Sequence, residues 1–92
     1  MTILNNVIDP RSGDTTRLAY TVQAAGRVTV FVSTASGSVV RVLERSEKTP
    51  GDYNVEWDGR NNDNQIVAPG IYFIRIIAPG IDEIRKVMVI RH

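Results

Sequence analysis

The feature that most constrains the fold is a series of short runs in which apolar and polar residues alternate. The clearest runs begin at Leu18, Val28 and Tyr53, where apolar side chains recur at every second position. Successive side chains of a strand point to opposite faces, so this period of two predicts strands with one buried face. Residues 39–44 and 86–90 add two runs rich in β-branched side chains, which favour strands. No long stretch places apolar residues three and four positions apart, as an amphipathic helix requires.

Turn-forming segments separate these runs at spacings typical of a β-sandwich. They are rich in Gly, Pro, Asp, Asn and Ser, and they cover residues 9–14, 24–26, 35–38, 49–52, 58–70 and 78–83. The pattern predicts an all-β fold of seven short antiparallel strands in two packed sheets, an immunoglobulin-like or fibronectin-III-like β-sandwich. Residues 71–77 are apolar on both faces except at Arg75. This run predicts a central strand that is covered on both faces or lies next to an edge loop.

Length and charge limit the organisation and the partners. With 92 residues the chain has room for one domain, residues 1–92. Because the last strand-like run finishes at the chain end, we expect the domain to be a C-terminal module of a larger protein. The net charge is +1 and the basic residues never form a run, which argues against nucleic acid and anionic membranes as partners. No apolar run approaches the roughly 20 residues of a membrane-spanning helix, so no membrane insertion is predicted.

Residues suited to catalysis are sparse. The sequence has no cysteine, which excludes disulfides, thiolate metal sites and cysteine nucleophiles. The single histidine is the terminal His92, and Ser33, Ser36 and Ser38 lie in or beside a turn with no candidate base. Neither a nucleophile elbow nor a phosphate-binding glycine loop is present. We therefore predict a protein that is not an enzyme and that has no cofactor.

The segment from Asp58 to Gln65 is crowded with Asp and Asn, so it raises the question of a calcium site. An EF-hand loop that began at Asp58 would need an oxygen ligand at its third position, Gly at its sixth and Glu at its twelfth. Those positions hold Arg60, Asp63 and Pro69 instead. Asn and Asp also cap turns with their own side chains and tolerate a positive φ. A long turn is the favoured interpretation, and a calcium site remains the alternative.

The only tryptophan, Trp57, is a candidate either for the core or for a sugar-binding surface. It shares its alternation phase with Tyr53 and Val55, which predicts an inward-facing side chain at the end of a strand. A carbohydrate-binding face usually combines several exposed aromatic rings. The pattern favours burial of Trp57 in the core.

Several motifs in a fixed order carry a resemblance to a known family. They are Gly51, the triplet Trp57-Asp58-Gly59, the Asn-rich loop, and Gly70 followed by Ile71-Tyr72. In this order they resemble the Ig-like domain of the flagellar hook-capping protein FlgD, a module also found near the C-termini of bacterial exported and surface proteins. The resemblance implies a structural or interaction module with no catalytic residues. It further implies that Trp57 closes the core, that Asp58-Gly59 turns the chain, and that Gly70 lets it re-enter the sheet beside Tyr72.

Two positions depart from the family pattern. Asn64 stands where a glycine often occurs, and asparagine is the next-best residue for a left-handed backbone. Phe31 stands where a Lys-like residue is usual. If Val28, Val30 and Val32 face the core, Phe31 faces outward, and we expect it opposite Arg41, with Val39 and Leu43 on the same face. The four residues predict either a surface cation–π pair between Arg41 and Phe31 or an apolar contact patch.

The leading functional hypothesis is a non-catalytic accessory domain of an exported or surface-associated bacterial protein. It would serve as a spacer, an interdomain packing element or an assembly contact. We expect its partners to be other domains of the parent protein or assembly partners, and the domain itself to be monomeric. The alternatives are a C-terminal sorting or anchoring signal for secretion, a flagellar hook-cap assembly domain and a carbohydrate-binding module. Export is inferred from the resemblance alone.

Overall fold

The computed structural model describes residues 1–91 and shows eight β-strands joined mostly by short turns. The only histidine, His92, lies outside the described residues. The strands are β1 (Thr2–Leu4), β2 (Val7–Ile8), β3 (Thr16–Val22), β4 (Gly26–Thr34), β5 (Val39–Lys48), β6 (Gly51–Trp57), β7 (Gly70–Ala78) and β8 (Ile81–Val89). A single turn of 3-10 helix, Pro10–Ser12, follows β2. Among residues 1–91, no helix is both long and apolar enough to span a membrane.

The strands form two sheets, as the alternating pattern predicts. One sheet has three strands in the order β1-β3-β6, and the other has five in the order β2-β8-β7-β4-β5. The predicted count of seven strands is one short, because the first eight residues contribute two strands too brief to show alternation. The expectation of a wholly antiparallel fold is also incorrect. β2 lies parallel to β8, and the Met88 amide donates to the Asn6 carbonyl and the Ile90 amide to the Ile8 carbonyl, both at 2.8 Å.

The core lies between the two sheets and follows from the period of two. In β3, buried and exposed residues alternate without interruption from Thr16 to Val22. The buried apolar side chains of the whole described chain are Ile8, Leu18, Tyr20, Val22, Val28, Val30, Val32, Trp57, Tyr72, Ile74, Ile76, Val87 and Val89. β-Branched residues dominate this set, and they pack well against the pleated inner surfaces of both sheets.

The strand β7 is central, as predicted, but it is covered on one face only. It lies between β4 and β8, and it buries Tyr72, Ile74 and Ile76 against the three-stranded sheet. On the opposite face, Ile71 and Ile77 are 45% and 41% exposed. The apolar residues on both faces of this strand therefore do not indicate a second covering layer within the domain. They leave an apolar outer face on the five-stranded sheet.

Candidate functional site

The side chain of Trp57 belongs to the core and ends β6. It is 0% exposed, and its indole Nε1 donates a hydrogen bond of 2.9 Å to the carbonyl of Arg60. The ring packs against that of Tyr72, with centroids 5.5 Å apart and planes tilted by 60°. A ring enclosed in this way is not available to stack on a sugar, so the structure removes the main basis for the carbohydrate-binding alternative.

The side chain of Tyr72 fixes the other end of the same loop. Its hydroxyl donates a hydrogen bond of 2.7 Å to the carbonyl of Ala68, four residues earlier. The ring is buried, and burial raises the pKa of the hydroxyl. This backward hydrogen bond is similar to the tyrosine corner of immunoglobulin-like sandwiches. Together, Trp57 and Tyr72 attach the start and the end of the loop between β6 and β7 to the core.

Asp58 and Gly59 make the tight turn at the start of this loop. The Asp58 carboxylate accepts the amide of Arg60 at 3.1 Å. Gly59 is buried with φ of 77°, and a Cβ at this position would overlap the ring of Pro10. Glycine is therefore required at this position for two reasons: the backbone is left-handed, and it lies too close to the 3-10 turn for a side chain. At the far end of the loop, Gly70 has φ of 155°, where the chain enters β7.

The Asn-rich segment builds its own turn. The Asn61 side-chain oxygen accepts the amides of Asp63 at 2.9 Å and Gln65 at 3.0 Å. The backbone amide of Asn61 in turn donates to the backbone carbonyl of Gln65 at 2.9 Å. Asn64 adopts φ of 63°, the left-handed conformation expected at this position. Side-chain oxygens that accept backbone amides hold the loop, which is the role that the turn interpretation assigns to them.

Asn62 attaches this loop to the free edge of β5. Its amide donates to the Val40 carbonyl, and its side-chain oxygen accepts the Val42 amide, both at 3.1 Å. Arg41 adds a hydrogen bond of 3.3 Å from Nη1 to the Asn61 carbonyl, and the same atom is 3.9 Å from a carboxylate oxygen of Asp58. The loop therefore provides hydrogen-bond partners for part of the β5 edge, where the backbone groups would otherwise be unpaired.

No group of three or more His, Cys, Asp or Glu residues suited to a metal ion occurs within residues 1–91. The Asp58 and Asn oxygens just described already accept backbone amides. The serines of the β4–β5 turn have local partners, since the Ser36 hydroxyl lies 2.9 Å from that of Thr34 and the Ser38 amide contacts the same Thr34 hydroxyl at 3.3 Å. Ser33 is buried in β4.

The expected arrangement around Phe31 is only partly correct. Phe31 faces outward, but its cross-strand neighbours are Val42 on β5 and Arg75 on β7, and Arg41 is opposite Val32. The reason is that the register between the two strands shifts twice, between Val30 and Phe31 and between Val32 and Ser33 of β4. At each shift one residue of β5 is left without a partner in β4, which changes the face on which the next residues of β5 lie. No Arg41–Phe31 cation–π contact forms within the described residues; the one observed there places the Lys48 ammonium 4.9 Å from the Tyr53 ring centroid.

The four residues of the expected patch therefore do not share one surface. Arg41 extends to the Asn-rich loop, and Leu43 packs against the core. Phe31 and Val39 remain on the outer face, where they line a shallow groove of about 470 Å³ together with Phe73, Arg75 and Ile84. We call these five residues the outer groove. The sequence reasoning missed Phe73 and Ile84, although the alternation of β7 around Ile74 and Ile76 could have placed Phe73 on the outer face.

The two sheets and the Trp57-anchored loop define an immunoglobulin-like β-sandwich whose signature residues serve its own architecture. The chain belongs to the FlgD Ig-like domain family, whose model matches residues 5–79. It is 39% identical over 56 residues to the basal-body rod modification protein FlgD of Salmonella typhimurium and 36% identical over 56 residues to that of Escherichia coli K12. Each alignment covers 61% of this chain and 24% of the relative, so the chain corresponds to about a quarter of those proteins.

Two solved structures share the fold. One is PorZ, described as a bacterial surface component of the type-IX secretion system of Porphyromonas gingivalis, with a TM-score of 0.63 and 24% identity. The alignment covers 98% of this chain and 11% of PorZ. The other is the alkylpurine DNA glycosylase AlkC of Pseudomonas fluorescens, with a TM-score of 0.54 and 15% identity over 98% of this chain and 29% of AlkC. At these identities both structures indicate the fold alone.

Proposed function

We propose that the chain is a non-catalytic accessory domain that makes structural and assembly contacts within an exported or surface-associated bacterial protein. Membership of the FlgD Ig-like domain family supports this role. The observation that carries the proposal is that the polar and aromatic side chains of the family motif bind the domain's own backbone and core. Trp57, Asp58 and Tyr72 all contact the domain's own backbone or core, while the outer groove is left open on the five-stranded sheet.

The mechanism is geometric. The two packed sheets form an elongated body with extents of 41 × 23 × 20 Å. Such a body can hold neighbouring domains at a fixed separation, and its outer groove can contact one of them or an assembly partner. Phe31 and Val39 are the two residues of the expected patch that serve this contact. Arg41 and Leu43 support it indirectly, because Arg41 holds the loop and Leu43 packs β5 against the core.

A flagellar hook-cap assembly domain is the more specific candidate. Two relatives named basal-body rod modification protein FlgD, at 39% and 36% identity, support it. In a flagellated host, deletion of the domain from its parent gene is expected to prevent hook formation, which electron microscopy of isolated flagella would detect. Normal hooks would restrict the proposal to other bacterial surface assemblies.

The general proposal is tested by the same deletion followed by fractionation. We expect the parent protein to be made and exported but not incorporated into its assembly. A parent protein retained inside the cell would instead support the sorting-signal alternative. Unchanged export and assembly would contradict the accessory role.

A matched replacement separates a spacer from a contact surface. An unrelated immunoglobulin-like sandwich of similar dimensions, inserted at the same place, would restore assembly if the domain acts only as a spacer. The point variant Phe31→Lys would then have no effect. If the domain acts through its outer groove, the unrelated sandwich fails and Phe31→Lys impairs assembly, while export is retained in both cases.

A further inference from the structure

The outer face of the five-stranded sheet carries its side chains in three cross-strand rows. One row contains Val42, Phe31, Arg75 and Ile84; the next contains Val39, Ser33, Phe73 and Lys86; the third contains Arg45, Thr29, Ile77 and Asp82. Neighbours within such a row lie about 5 Å apart, and the next outward row along each strand lies about 7 Å away. The apolar members of the first two rows therefore form one continuous surface.

This surface is open to a partner. Val39 and Ile84 are 55% and 52% exposed, and Phe31 and Phe73 are half-buried. Isolated exposed apolar side chains are common on soluble proteins, but here two aromatic and two aliphatic side chains line one groove, and clustered apolar side chains are found at contact surfaces.

The charges around the groove are unequal. Arg75 is neutralised by a two-pronged ion pair with Asp82, with Nε–Oδ1 and Nη2–Oδ2 distances of 2.8 and 2.6 Å. Lys86 and Arg45 stand at opposite sides of the face, both are exposed, and neither side chain has a hydrogen-bond or ion-pair partner among the described residues. An apolar surface bordered by two free cations is complementary to apolar side chains bordered by carboxylates.

A purely apolar partner would remove water from Lys86 and Arg45 without giving them a partner, which is unfavourable.

We infer that the outer face docks a protein partner whose contact surface carries apolar side chains flanked by Asp or Glu. This inference rests on the proposed function, because it specifies the chemistry of the partner that the outer groove contacts. Lys86 and Arg45 set the orientation of the partner, and Phe31, Phe73, Val39 and Ile84 supply the apolar contact.

The test uses the purified chain and three fluorescein-labelled synthetic peptides. One alternates leucine with glutamate, one leucine with lysine, and one serine with glutamate, each used at concentrations where sedimentation shows it to be monomeric. We expect fluorescence anisotropy to show binding of the leucine–glutamate peptide only, with an affinity that falls as the salt concentration rises. Amide chemical-shift changes are expected in β4, β5, β7 and β8.

Matched variants distinguish the outer face from the rest of the surface. Lys86→Glu and Ile84→Ser are each expected to weaken binding at least about fivefold. Each variant has a control that makes the same kind of change away from the outer face. Arg11→Glu, in the 3-10 turn, reverses a charge as Lys86→Glu does. Leu4→Ser, in β1, removes a 56% exposed apolar side chain as Ile84→Ser does. Both controls are expected to bind the peptide as the unchanged protein does.

Equal binding of the lysine-containing peptide, or equal weakening by the controls, would overturn the inference. So would an absence of binding by all three peptides. In the last case, the Phe31→Lys variant of the parent protein separates the two ideas. If that variant still blocks assembly, the proposed function stands and only the partner chemistry is wrong.

Discussion

The rings of Trp57 and Tyr72 contact each other with centroids 5.5 Å apart, and each also holds a backbone carbonyl of the intervening loop. Trp57 bonds to the carbonyl of Arg60 near the start of the loop, and Tyr72 bonds to that of Ala68 near its end. One aromatic pair therefore joins the two sheets and also fixes a loop of about a dozen residues. These contacts attach both ends of the loop to the core.

Removal of the indole is expected to reduce stability severely. Trp57→Ala should lower the free energy of unfolding by about 3–5 kcal/mol, because it leaves a cavity and frees one end of the loop. Urea unfolding followed by circular dichroism would measure the loss. Ile84→Ala serves as the control and should change the value by less than about 0.5 kcal/mol, since its side chain is exposed. A loss below about 1 kcal/mol for Trp57→Ala would contradict the role assigned to this side chain.

Gly59 and Gly13 form a pair that separates backbone strain from steric overlap. Both have a positive φ, 77° and 81°, but a Cβ at Gly59 would overlap Pro10, whereas a Cβ at Gly13 would meet nothing within 4 Å. Gly13→Ala should cost about 1 kcal/mol, and Gly59→Ala should cost at least about 1 kcal/mol more. Thermal unfolding of the two variants provides the comparison. Equal losses would show that the contact with Pro10 is unimportant.

Asn62 is expected to protect the edge of β5. Asn62→Ala removes the acceptor of the Val42 amide, so this amide should exchange with solvent faster and the edge should become available for pairing with other chains. Hydrogen exchange at Val42 and light scattering on heating would detect both effects. Asp63→Ala is the matched control, since the Asp63 side chain makes no hydrogen bond within the described chain. Identical exchange and scattering for the two variants would refute this protective role.

Stability is expected to depend on the ionisation of Asp82. Hydrogen bonds from Arg75 lower the pKa of this carboxyl below its ordinary value of 3.8. A lowered pKa in the folded state gives a stabilising contribution that is present above the unfolded pKa and is lost as the pH falls through the folded pKa. Asp82→Asn should therefore be less stable than the unchanged protein at neutral pH, by an amount that vanishes in strong acid and shrinks in high salt. A stability difference that is independent of pH would exclude this coupling.

The sequence predicted some elements of the structure better than others, and the reasons are physical. The period of two located β3, β4 and β6, because the side of a strand that a residue faces is a local property. The turn at Asn64 was also predictable, since few residues tolerate a positive φ. The short strands β1 and β2 were missed because they exist only through pairing with distant strands.

The outer face was harder to predict. The alternation of β4 placed Phe31 outward, but its neighbours depend on two register shifts in β5 that no local pattern reveals. The expected partner Arg41 consequently lies elsewhere, and Phe73 and Ile84 complete the groove instead. Contacts between strands depend on how the strands are aligned, and that alignment is decided by the whole sheet.

The parallel contact between β2 and β8 has a mechanical consequence. Tension that enters the chain ahead of β2 and leaves it after β8 pulls these two strands in opposite directions along their length. The hydrogen bonds from Met88 to Asn6 and from Ile90 to Ile8 are then loaded together in shear, whereas an antiparallel hairpin opened from one end breaks its bonds one at a time. A module joined in this way resists stretching along the line through its first and last strands.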